Sequence, residues 1–101
     1  MATENYKGFT FRFVNDLKSS GKVRVYVENA PSYNGRSSEL SVIHRWPANY
    51  DGFSHPPYIC FKENFKPENL AEARDLAQKW ADGTIEYIRS GVSISEQFRR
   101  R

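Results

Sequence analysis

One cysteine, one methionine and two histidines among 101 residues leave little equipment for sulfur, metal or acid–base chemistry. Cys60 alone closes no intramolecular disulfide. His44 and His55, eleven residues apart, add no paired ligand spacing to it, so no zinc site and no other metal or cofactor is expected. The six glycines stand apart from one another, which excludes a glycine-rich phosphate loop. No apolar run approaches the roughly 20 residues that span a bilayer. No basic–apolar–small leader pattern precedes "MATENYKGFTFRF", so a cytoplasmic protein with no membrane partner is expected.

Aromatics are plentiful. They make up 15% of a chain that is 39% apolar and 27% charged, enough apolar material for one packed core at this length. The segment from 23 to 63 holds both histidines, the cysteine, Trp46 and four of the six tyrosines. The net charge of +3 is unevenly spread: residues 1–67 contribute +3, residues 68–91 contribute −2 and residues 92–101 contribute +2. A single domain over residues 1–91 followed by a basic tail over 92–101 is the expected organisation.

Four segments rich in β-branched and aromatic residues, 9–14, 23–28, 40–46 and 58–63, are separated by turn formers such as Asn34-Gly35, Asp51-Gly52 and Pro56-Pro57. None is followed by a helix-length crossover before the next, so an antiparallel meander is expected. From Asn69 the apolar period changes to the helical one through Leu70, Ala73, Leu76, Ala77, Trp80, Ala81, Tyr87 and Ile88. Asn69 with Glu72 matches a capping box and Gly91 a C-terminal cap, while Gly83 marks a weak point inside the helix. The expected fold is therefore α+β: a four-stranded antiparallel meander followed by one long C-terminal helix packed on one face, in the order ββββα. A helical turn docked through Phe98 is one expectation for the tail.

Alternation puts Phe9, Phe11, Phe13, Val23, Val25 and Val27 toward the helix, with Leu40, Val42, His44 and Trp46 on the same side. The opposite face then displays Arg12, Arg24, Tyr26, Arg45, Tyr58 and Lys62, with Glu28 as a dissenting charge. One helix covers one side of a sheet, leaving this cationic, tyrosine-bearing side to solvent or to a partner. The loop "PSYNGRSS" adds Tyr33, Arg36 and Ser37 as candidate ligand contacts, since a guanidinium beside hydroxyls suits a phosphate or carboxylate. For His44 a structural role is preferred over catalysis, for His55 a surface position, and for Cys60 an inert mid-strand thiol.

The ββββα order with a cationic open face resembles in topology the repeat unit of the Whirly and PUR single-stranded nucleic-acid-binding proteins. The resemblance covers the element order of most of the chain and no sequence motif of either family. It implies a non-catalytic module in which cations track phosphates and tyrosines stack bases. The alternative is a protein-interaction or homodimerisation module using the same face. A small hydrolase or nuclease built on His44 or His55 stands third, for want of a convergent acid–base pair.

Overall fold

The alternating phenylalanines form a strand, β2 (Phe9–Asp16), in the computed structural model, which describes residues 2–16, 22–61 and 66–99. It pairs antiparallel with β3 (Lys22–Asn29). Phe11 lies opposite Val27 and Phe13 opposite Val25 on one face, while Arg12 opposes Tyr26 on the other, as period two requires. The apolar face meets the long helix α2 (Leu70–Ser90), whose Ala73, Ala77 and Ala81 stripe lets the backbone approach closely. Trp80 fills the space between them, its ring edge-on to Phe9 and Phe11 at centroid distances of 5.5 and 6.1 Å. Its indole N–H donates to the Ile43 carbonyl at 2.7 Å, so the one polar atom it buries is satisfied.

The helix begins and ends as the sequence indicates. The Glu72 amide donates to Asn69 Oδ1 at 2.9 Å, and Gly91 closes the helix at φ 82°, donating to Tyr87 O. A second short helix, α3 (Ile94–Arg99), follows and inserts Ile94 into the core. Gly83 is the contact point between the two. Ile94 lies where a Cβ would reach it at 3.4 Å, and the Gln97 amide donates to Gly83 O at 2.8 Å.

The α+β class, the antiparallel pairing and the C-terminal helix on one face all hold, but the sheet differs in detail from a four-stranded meander. An additional strand, β1 (Ala2–Tyr6), pairs with β2 through a two-residue turn in which Lys7 and Gly8 both take positive φ, as primed hairpin turns require. Its Thr3, Glu4 and Asn5 are polar and only Tyr6 packs against the core, so hydrophobic alternation gives no sign of it. Ion pairs tie it to α2 instead, Glu4 with Arg74 at 2.7 Å and Lys7 with Asp82 at 3.1 Å.

Residues 40–46 are not one strand. Leu40–Ile43 form a single helical turn, α1, and His44 adopts a left-handed conformation (φ 52°, ψ 48°). Only Arg45–Trp46, β4, are extended. The strand expected over 58–63 is likewise two residues long, β5 (Tyr58–Ile59); Lys62 lies outside the described residues, as does the turn at Gly21. β5 pairs with β3 and β4 with β5, giving the order β1-β2-β3-β5-β4, so the chain reaches the sheet edge first and returns inward. Among the described residues no helix is long and apolar enough to cross a membrane.

The two glycines of α2 should respond oppositely to alanine. Gly83→Ala adds a methyl at ordinary contact distance within a helix, and should raise stability by roughly 0.5–1 kcal/mol. Gly91→Ala forces a Cβ into the left-handed region against the Arg36 guanidinium, and should lower it by about 1–2 kcal/mol. Urea denaturation of both variants checks the pair.

Candidate functional site

Arg12, Arg24, Tyr26 and Tyr58 do share the face away from the helix, but that face is not open. Tyr26 and Tyr58 are each only 8% exposed. The segment 47–57 folds back across them and places His55, itself 7% exposed, against both rings at centroid distances of 5.9 and 5.5 Å. The expectation of a surface His55 therefore fails. Burying two phenol rings outweighs leaving the loop solvated, because each such ring withdraws on the order of 150–250 Å² from water.

Specific polar contacts hold this covering segment. Asp51 accepts from Arg24 Nη1 at 2.5 Å and from the Tyr58 hydroxyl at 3.1 Å, while the Arg24 guanidinium lies 4.1 Å over the Tyr58 ring. The Asp51 amide donates to His55 Nε2 at 3.1 Å, which puts the ring proton on Nδ1, within 2.6 Å of the Pro56 carbonyl. Asn49, at positive φ, exchanges two 3.0 Å bonds with the His55 backbone, one of them through its side-chain carbonyl. The Arg24 hydrogen bond holds the Asp51 carboxyl below its ordinary value despite partial burial. Burial pushes the Tyr58 phenol up to about 12 against the pull of the Arg24 cation, and its bond to Asp51 adds to the rise. A carboxylate that stays charged beside a phenol that keeps its proton is poised for clamping rather than for proton transfer near neutral pH.

The other expected contacts serve packing. Arg12 pairs with Glu28 and lies 4.7 Å over the Tyr26 ring. Arg36 donates from Nε to Ile88 O at 2.9 Å and rests against Gly91, a cation at the negative end of α2. The Ser37 carbonyl accepts from the Tyr87 hydroxyl at 2.7 Å. Arg45 is on the other face: it opposes core residue Ile59, while Trp46 opposes Tyr58. The left-handed His44 inverts the alternation, and a one-residue slip moves every later side chain across the sheet. Arg45 stacks 5.2 Å from the Tyr33 ring; its Nε and the Tyr33 hydroxyl are buried without hydrogen-bond partners among the described residues. The histidine rings have separate commitments, His44 Nε2 lying 2.5 Å from Ser95 Oγ. Burial pushes the Cys60 thiol up, away from the reactive thiolate. Among the described residues no group of three or more His, Cys, Asp or Glu is arranged to hold a metal ion.

A cleft of about 290 Å³ opens where the covering segment leaves the sheet. Its lining combines the aromatic rings of Trp46, Tyr50, Tyr58 and Phe61 with the cations Lys22, Arg24 and Lys66 and with Cys60. The Trp46 and Tyr50 rings lie 4.3 Å apart, tilted by 32° to one another, and Tyr50 remains 53% exposed. Of these residues Arg24 and Tyr58 were legible as contacts. Trp46, Tyr50, Lys22 and Lys66 were not; the signal in favour of the first two was the aromatic density of a loop too rich in rings for a solvated one. No family model, curated protein or solved structure matches the chain.

The clamp should be visible in the pH dependence of stability. Asp51 is more acidic folded than unfolded, so its contribution is complete above its ordinary value of 3.8 and is lost as pH falls through the lower folded value. Stability of the wild type should fall below about pH 4 more steeply than that of Asp51→Asn, read by denaturant titration. Tyr58 has the opposite sign: its contribution is complete below 10.0 and is lost as pH rises toward about 12. Alkaline absorbance titration should show a phenol ionising near 12 that Tyr58→Phe lacks.

Proposed function

We propose that this protein is a non-catalytic module that binds single-stranded nucleic acid, with the Trp46–Tyr50 cleft as its contact rather than the whole sheet face. The observation that carries this reading is one cleft lined both by the partly exposed Trp46 and Tyr50 rings, 4.3 Å apart, and by Lys22 and Lys66. A base has a π-face whatever its identity, and stacking on an aromatic side chain is worth roughly 1–3 kcal/mol. An ammonium group beside it supplies the counter-charge for the attached phosphate. The tyrosines of the covered face, Tyr26 and Tyr58, support the rings that do the contacting instead of contacting the ligand themselves.

Fluorescence anisotropy with a labelled single strand at several salt concentrations tests this. Binding should weaken with salt, by about 0.7 in log–log slope for each phosphate neutralised. Tyr50→Ala should weaken binding by roughly 1–3 kcal/mol with the slope unchanged, whereas Lys66→Ala should reduce the slope by about 1. Absence of binding at low salt overturns the reading.

A second reading, a protein-interaction or homodimer contact, is favoured by one observation: the segment that carries Tyr50, 53% exposed, also carries Phe53, 49% exposed. Adjacent exposed rings are what interface cores use. In that case sedimentation equilibrium should show a dimer at micromolar concentration that Phe53→Glu reduces to monomer.

A further inference from the structure

We infer that the cleft takes one terminal nucleotide unit, a nucleobase carrying a single phosphomonoester, rather than the interior of a strand; this rests on the nucleic-acid reading above. Size is the first reason. A cavity of about 290 Å³ lies at the lower limit for small-molecule sites, and a polymer-tracking groove is longer and open at both ends.

Charge is the second. Lys22 and Lys66 also line a neighbouring, more open cleft of about 450 Å³ whose other charged walls are Glu68, Glu72 and Asp75. A backbone running past the two lysines would bring its next phosphates against three carboxylates, within the distance at which salt leaves repulsion intact. Lys22 is itself drawn to that side by Glu68, 3.3 Å away. The cleft's third cation, Arg24, is already held by Asp51 at 2.5 Å and by the Tyr58 ring, so a second phosphate there has to compete with a carboxylate in place. The cations of the cleft thus lie beside Asp51 and beside Glu68, Glu72 and Asp75, which suits one phosphate better than a run of them. The base then lies on the exposed side of Tyr50, whose inner side is filled by Trp46.

Calorimetric titration of the full chain with adenosine monophosphate, adenosine, and a single strand of about twelve nucleotides with and without a 5′-phosphate tests this. Adenosine monophosphate and the phosphorylated strand should bind within about threefold of one another, with adenosine and the unphosphorylated strand at least about tenfold weaker. Asp75 is an exposed helix residue, and Asp75→Lys should let the phosphorylated strand outbind the mononucleotide; an unchanged ratio would overturn the acidic boundary. If affinity climbs about tenfold from mononucleotide to strand whether or not the end is phosphorylated, the one-unit inference fails and the nucleic-acid reading stands. Mononucleotide binding with neither strand bound overturns the terminal-unit inference together with the nucleic-acid reading. No binding of any probe overturns both.

Discussion

A sheet that has only one long helix to cover it must dispose of its second face. Here the ion pair between Arg24 and Asp51, laid against the Tyr58 ring, is the contact that does so. The pair is largely withdrawn from solvent, where an isolated charge costs several kcal/mol and a lone ion pair often fails to compensate for it. Two features shift that balance. The carboxylate accepts a further bond from the Tyr58 hydroxyl, and the guanidinium gains from the ring face, an interaction worth roughly 0.5–2 kcal/mol according to its desolvation. The clamp spans the sheet and segment 47–57, so the burial of Tyr26, Tyr58 and His55 depends on its geometry.

Once that segment is held, the position of the cleft follows. The chain leaves β4 at Trp46, crosses the sheet, and re-enters at Tyr58, and these two residues face each other across one strand pair. Tyr50 stacks on Trp46 because the turn around Asn49 brings the chain back over its own beginning. Trp46 is therefore backed by the clamped Tyr58 ring at 6.4 Å, and both line the same cleft as Lys22 and Lys66. Recognition residues carried by a loop and fixed by a rigid sheet are a common arrangement, since the scaffold bears the ordering cost.

Much of the frame was legible in the sequence because it rests on apolar periodicity and capping chemistry. β2, β3 and α2 each repeat an apolar residue at their own period, and Asn69, Glu72 and Gly91 do locally what their side chains favour. β1 escaped because it is held by carboxylate–cation contacts to residues about 70 positions away, Glu4 to Arg74 and Lys7 to Asp82. Residues 40–46 were misassigned because nothing about His44 signals a left-handed backbone. That single dihedral turned an expected strand into a helical turn and moved Arg45 to the helix side. The outward parity of Tyr26 and Tyr58 was right, but parity states which face a residue occupies, not whether a loop lies across that face.

Arginine and lysine were counted as one kind of charge in the sequence, and the structure separates them. Arg12, Arg24 and Arg45 each lie over a tyrosine ring, and Arg36 rests on the carboxyl end of α2. A planar, weakly hydrated guanidinium can be laid flat on a ring at little desolvation cost, which accounts for Arg12, Arg24 and Arg45, while Arg36 bonds a carbonyl at the helix end. An ammonium group is compact and strongly hydrated; Lys7 lies 5.2 Å over the Tyr6 ring, while Lys22, paired with Glu68, and Lys66 line the clefts. The positive character that the alternation assigned to a broad face is thereby consumed inside the molecule. What the cleft itself presents is Lys22, Arg24 and Lys66 beside the Trp46 and Tyr50 rings, so the charge left at this side of the sheet is gathered with the aromatic rings into one recess of about 290 Å³.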